Sequence, residues 1–186
     1  MNSRLPVYRL IAALAMVLIA RPAGAFFGGG GGTKEGDAAP VFTGETLDFG
    51  GISKQVLNYA QLKGKKVVVL DFWSIYCASC IEEMPKLIDL HNEFKDKGLV
   101  MIGVNLDSFG THRVVQFMNG MNPKINFPVV IDKDRKIGTM FSAMVLPTTL
   151  VIDAAGKIRF FHVGYKQGDE KHLRNVIVQA VKEIKK

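Results

Sequence analysis

A chain of 186 residues, 48% hydrophobic and 22% charged, has room for one domain with a real core and too little for two ordinary ones. Its formal charge of +7 does not argue for a nucleic-acid partner, because Arg4, Arg9 and Arg21 are the only charges in residues 1–25 and the remainder carries just +4. The chain has two cysteines, Cys77 and Cys80, so a disulfide-dense scaffold is excluded as well.

Residues 1–25 read as a secretory signal. Arg4 and Arg9 form a positive start, residues 10–20 are uncharged and mostly apolar, and Ala23-Gly24-Ala25 offers a cleavage site. The apolar stretch is shorter than the roughly 20 residues that span a bilayer; the competing reading is an uncleaved N-terminal anchor extended by Phe26 and Phe27. No cysteine lies near the cleavage site, which excludes a lipoprotein anchor. Residues 26–39 contain five consecutive glycines and read as a flexible tether. The domain is expected over 40–186, opening with short strands near 41–43 and 52–57 and a turn at Gly50-Gly51.

Residues 67–73 form an apolar, β-branched run broken only by Asp71, the pattern of a central strand buried on both faces. From Cys77 to Lys97, Ile81, Met84, Ile88, His91 and Phe94 recur at helical steps, with Gly98 as the stop. Pro85 removes one backbone donor inside that helix and predicts a kink. A second buried strand covers 99–106, a helix 111–121, a third strand 127–131 and a short helix the residues up to Phe141. Residues 148–152 and 158–163, joined by Ala154-Ala155-Gly156-Lys157, predict a hairpin. Leu173, Val176, Ile177, Ala180, Val181 and Ile184 line one stripe of a closing helix. Strands alternating with helices, then a hairpin and a helix, predict an α/β fold with a mixed central sheet and helices on both faces.

Cys77 and Cys80 fall where the first firm strand hands over to a helix. Backbone N–H groups and the positive end of the helix dipole favour a thiolate there. In an exported chain with two cysteines, C-x-x-C is more naturally a cycling dithiol or disulfide than half a zinc site. Closing so short a loop contributes little as a staple. Zinc would need about four ligands, and His91, His112, His162 and His172 show no paired spacing. A c-type haem needs histidine after the second cysteine, where Ile81 stands. No metal and no separate cofactor is therefore expected.

With Trp73-x-x-Tyr76-Cys77-x-x-Cys80 after the strand, Pro85 in the helix, Val145-Leu146-Pro147-Thr148-Thr149 before the hairpin and a helix inserted between Leu106 and Phe127, the chain resembles the thioredoxin superfamily. Within it, the chain is similar to the exported TlpA/ResA-like thiol-disulfide oxidoreductases, over roughly 40–186. The resemblance implies a thioredoxin-like fold with a TlpA/ResA-type helix insertion. Asp71, six residues before Cys77, matches the buried acid of thioredoxins, which implies a proton site for the second cysteine; the alternative is a solvated acid at a strand end. Pro147 matches the superfamily's cis-proline, which would leave the Leu146 backbone free to pair with an extended substrate; an ordinary trans proline is the alternative. Tyr76 and Trp73 flank the site as candidate substrate contacts, or as a surface and a core aromatic. The family's usual tryptophan before the first cysteine is Tyr76 here, and the intervening dipeptide is Ala78-Ser79. Glu82 and Glu83 close to the pair would slightly oppose thiolate formation.

Cys77, at the helix start, is the sulfur a partner could reach and is expected to attack; Cys80, one turn on and better buried, is expected to resolve. The expectation is a moderately reducing periplasmic protein, either free or tethered to the inner membrane. It would reduce disulfides of exported proteins, apocytochrome c among the client classes, with electrons from a membrane-linked donor. The alternatives are a peroxiredoxin-like peroxide reductase and a copper-binding assembly factor.

Overall fold

The computed structural model describes residues 32–48 and 51–184. The signal segment 1–25, the tether as far as residue 31 and the turn residue Gly50 lie outside them. Among the described residues, seven strands form one sheet in the order β2-β1-β5-β4-β3-β6-β7. The strands are β1 (Thr43–Asp48), β2 (Gly51–Asn58), β3 (Val67–Trp73), β4 (Leu99–Asn105), β5 (Val129–Ile131), β6 (Thr148–Ile152) and β7 (Ile158–Val163). β3, β4 and β5 run parallel, while β1, β6 and β7 join antiparallel, so the sheet is mixed as expected.

All seven residues of β3 are buried, which is why its sequence reads as an unbroken apolar run. Side chains alternate across it. Val67, Val69 and Trp73 join a core with Cys80, Met84 and Leu87 of α1 (Ala78–Phe94), Val114 and Met118 of α2 (Thr111–Gly120), and Leu173 and Ile177 of α4 (Asp169–Ile184). Val68, Leu70 and Phe72 face the other way, onto Tyr59, Phe141 and Ile137 of α3 (Lys136–Met140). The helix insertion is α2, between β4 and β5. Pro85 sits inside α1 without ending it.

Several boundaries differ from the sequence reading, the third parallel strand starting at Val129 rather than Phe127 among them. The first strand begins at Thr43 rather than Val41, and Val41 is exposed. Within β1, Gly44 leaves room for the neighbouring strand, since a Cβ there would come within 2.2 Å of Val130 Cγ1. The supposed tether also attaches to the domain in its described part. Gly36 N–H donates to the Ile158 carbonyl at 2.8 Å, Ile158 N–H to the Asp37 carbonyl at 2.9 Å, and Ala39 is buried. These bonds satisfy backbone groups on the outer edge of β7, so the ordered chain starts before residue 40.

Candidate active site

The junction between β3 and α1 is built around Asp107, just beyond the end of β4. Its carboxylate accepts from Ser74 Oγ at 2.5 Å, Ile75 N–H at 3.0 Å and Asn105 Nδ2 at 2.8 Å. Ser74 Oγ in turn accepts from Tyr76 N–H at 3.1 Å, and the Ser74 carbonyl from Cys77 N–H at 3.1 Å. Four consecutive residues before the helix are thereby fixed to the neighbouring strand.

Cys77 is the N-cap of α1, with extended backbone angles, and its Sγ accepts from Cys80 N–H at 3.2 Å. Cys77 and Cys80 form a disulfide, S–S 2.02 Å, across one helical turn. Cys77 is partly exposed and Cys80 is 1% exposed. The cysteines are thus unequal: one sulfur lies within reach of a partner, the other is in the core.

Asp71 is 1% exposed, and burial pushes its carboxyl up to about 7, opposed by the Thr149 hydroxyl. A second buried carboxyl lies beside it. Glu83, 5% exposed, is raised to about 9 by burial first and then by the charge of Asp71. The sequence reading treated Glu83, with Glu82, as an acid near the cysteines that would slightly oppose thiolate formation, and did not expect it to be buried. Its place is set by helical spacing: three residues after buried Cys80, it lies on the same face of α1. Thr149, opposite Asp71 in the β3–β6 register, reaches both carboxyls, 3.4 Å to Asp71 Oδ1 and 3.2 Å to Glu83 Oε1.

The Leu146-Pro147 peptide is cis. Phe72 pairs with Thr148, which puts Pro147 level with Trp73 where the disulfide loop begins. Among the described residues, no backbone hydrogen bond involves Leu146. Tyr76 is 65% exposed, its hydroxyl accepting from Arg113 Nη1 at 3.3 Å. Together with exposed Phe109 and Arg135 it rims a cavity of about 450 Å³ over Ser74 and Asp107. Trp73 does not belong to this surface. It is fully buried against Phe117, ring centroids 6.1 Å apart, and so cannot serve as the substrate contact the sequence suggested.

A mixed sheet of this order carrying a C-x-x-C disulfide at the N-terminus of the first long helix defines a thioredoxin-fold thiol-disulfide oxidoreductase. The comparisons agree. The AhpC/TSA family profile matches residues 36–161, and the chain belongs to that family, within the thioredoxin superfamily and with specific resemblance to its TlpA/ResA-type members. It is 36% identical over 135 residues to the thioredoxin-like protein YneN of Bacillus subtilis, covering 72% of this chain and 74% of that one. The thiol-disulfide oxidoreductase ResA of the same organism is 34% identical over 134 residues, covering 72% and 70%. Among solved structures, a protein assigned as the thiol:disulfide interchange protein DsbE of Chlorobium tepidum superposes with a TM-score of 0.71 at 28% identity, covering 80% of this chain and 99% of that one. The chain is a protein-disulfide oxidoreductase whose redox group is its own cysteine pair.

Proposed function

We propose that the protein works as a reductant of disulfides in other exported proteins, apocytochrome c among them. The observation that carries the reading is the inequality of the two sulfurs, Cys77 partly exposed at the helix cap and Cys80 buried. The similarity to the thiol-disulfide oxidoreductase ResA supports thiol-disulfide exchange as the chemistry.

In the reduced protein the Cys77 thiolate attacks a partner disulfide. That bond breaks, and its electron pair leaves on one partner sulfur, which takes up a proton. Cys80 then gives its proton to the Asp71 carboxylate and attacks Cys77 Sγ. The Cys77–Cys80 bond forms as the second partner sulfur leaves with the electron pair of the mixed disulfide and takes up a proton. One partner disulfide becomes two thiols, and the dithiol becomes the disulfide seen here. Asp71 suits the base role because burial lifts its carboxyl into the neutral range. The Leu146 backbone beside Pro147 offers an edge for an extended client segment, and Tyr76 an exposed ring next to the reacting sulfur. A membrane-linked donor re-reduces the pair. Residues 1–25 direct export to the periplasm, as a cleaved signal or as an inner-membrane anchor, with the glycine stretch as the spacer.

The test is dithiol-linked insulin reduction by wild type, Cys77→Ser and Cys80→Ser. Loss of turnover in both variants, with a trapped mixed disulfide only in Cys80→Ser, is expected. Equal activity of wild type and Cys77→Ser sinks the mechanism.

A further inference from the structure

Thr149 touches two buried carboxyls at once, its Oγ1 lying 3.2 Å from Glu83 Oε1 and 3.4 Å from Asp71 Oδ1. A hydroxyl carries one hydrogen and can donate only once. If both carboxyls were ionised, one contact would set a hydroxyl lone pair against a negative oxygen in the core, where such a clash is costly. The two contacts coexist when one carboxyl is a carboxylic acid donating to Thr149 Oγ1, and Thr149 donates onward to the other.

The surroundings decide which carboxyl keeps the proton. Glu83 faces Asp71 from β3, and Asp169 and Glu170 from the start of α4, all of which raise its affinity for a proton. Those two α4 carboxylates stay ionised. Asp169 is held by Lys166 N–H and His162 on β7, and Glu170 by Gly168 N–H and the Tyr165 hydroxyl, with Lys86 of α1 nearby. Glu82, the remaining acid of that turn, is exposed. No residue donates a hydrogen bond to Glu83 Oε2 among the described residues, which suits a neutral carboxyl better than a carboxylate.

We propose that Thr149 is a positioning residue for the redox chemistry, its hydroxyl joining the two acids into a directed chain from Glu83 O–H through Thr149 O–H to the Asp71 carboxylate. The chain keeps one proton on Glu83 and leaves Asp71 unprotonated, as the base that takes the proton of Cys80. This rests on the dithiol–disulfide reading of the site. When the Cys80 S–H bond breaks, its proton goes to Asp71, which returns it to solvent once the disulfide has closed; Glu83 keeps its own.

The experiment is an infrared titration of the buried carboxyl bands in the oxidised full chain, for wild type, Thr149→Val, Thr149→Ala and Thr149→Ser, with Asp71→Asn and Glu83→Gln assigning the bands. The Asp71 band is expected to titrate alike in wild type and Thr149→Ser. In the two variants without a hydroxyl it moves up by about one pH unit or more, the effect of losing a hydrogen bond to a charged acceptor. Thr149→Ala keeps the test available should Thr149→Val not fold. A wild-type titration in either hydroxyl-less variant overturns the proposal, and so does an equal shift in Thr149→Ser, which would assign the effect to packing. The bands are read without a client. An intact shift in a protein unable to reduce insulin therefore overturns only the functional reading, and an active protein with no shift overturns only this one.

Discussion

The backbone N–H of Cys80 donates to Cys77 Sγ at 3.2 Å, so the first sulfur occupies the capping position of α1 while still bonded to the second. Opening the disulfide leaves that sulfur facing the unpaired N–H groups of the first helical turn, which stabilise negative charge. Cys80, one turn into the helix and buried, lacks that setting.

Alkylation should therefore discriminate between the two. In the fully reduced protein at neutral pH, iodoacetamide is expected to modify Cys77 at least about tenfold faster than Cys80, as read by peptide mass mapping over time. Comparable rates at both positions would contradict the assignment of roles.

The three donors that converge on Asp107 predict a loop phenotype. Asp107→Ala leaves Ser74 Oγ, Ile75 N–H and Asn105 Nδ2 without their common partner. A loss of about 2 kcal/mol in chemical denaturation is expected, in line with hydrogen bonds to a charged group. Asp107→Asn, which keeps a carbonyl for the Ile75 N–H, should lose less. The reduction potential should move in Asp107→Ala, because Tyr76 and Cys77 hang from Ser74.

Stability should respond to pH through the buried acids. Both are raised in the fold, Asp71 from 3.8 to about 7 and Glu83 from 4.5 to about 9. Between these limits the folded chain binds more protons than the unfolded chain, so this contribution is complete below about pH 4 and is lost as pH rises through the folded values. Asp71→Asn removes one of the two losses. Its stability relative to wild type should grow from pH 4 to pH 8, exceeding about 1 kcal/mol at the upper end, by urea denaturation at each pH. A difference that stays flat would contradict the burial of an ionising Asp71.

Tyr76 and Phe109 predict a split between large and small substrates. Both rings are exposed, 65% and 74%, on the rim of the cavity over Ser74 and Asp107. Exposed aromatics of this kind commonly anchor interfaces. Replacing both with alanine should raise KM for a protein disulfide roughly tenfold while leaving reduction of the pair by dithiothreitol unchanged.

Much of the fold was legible because burial leaves its imprint in sequence. The seven-residue run of β3, buried throughout, and the stripe on α4, where Leu173, Ile177, Ala180 and Val181 face the core, could hardly be read otherwise. Spacing singled out Cys77 and Cys80, which form the disulfide, and Asp71, which is buried. Glu83 escaped because two adjacent glutamates resemble a solvated helix face, and its only signal was an interval of three from Cys80. Asp107 escaped because a β-strand followed by an acid is commonplace; the bonds that make it an anchor cross 32 and 33 residues of sequence. Thr149 had no signal at all, since its contacts depend on the antiparallel register of β6 on β3. Trp73 stayed open between substrate contact and core aromatic because an aromatic three residues from exposed Tyr76 can face either way, and burial against Phe117 places it in the core.

Strand β7 ends the sheet, and a bare margin of backbone is a template on which a second copy can lay down a strand of its own. Gly36 and Asp37 occupy the backbone groups of Ile158, and Glu35 Oε1 takes the N–H of Phe161 at 3.2 Å. The segment ahead of β1 is thus also a guard rail. Deleting 33–38 should leave the disulfide in place yet make the protein prone to form oligomers through β7, which light scattering at rising concentration would reveal.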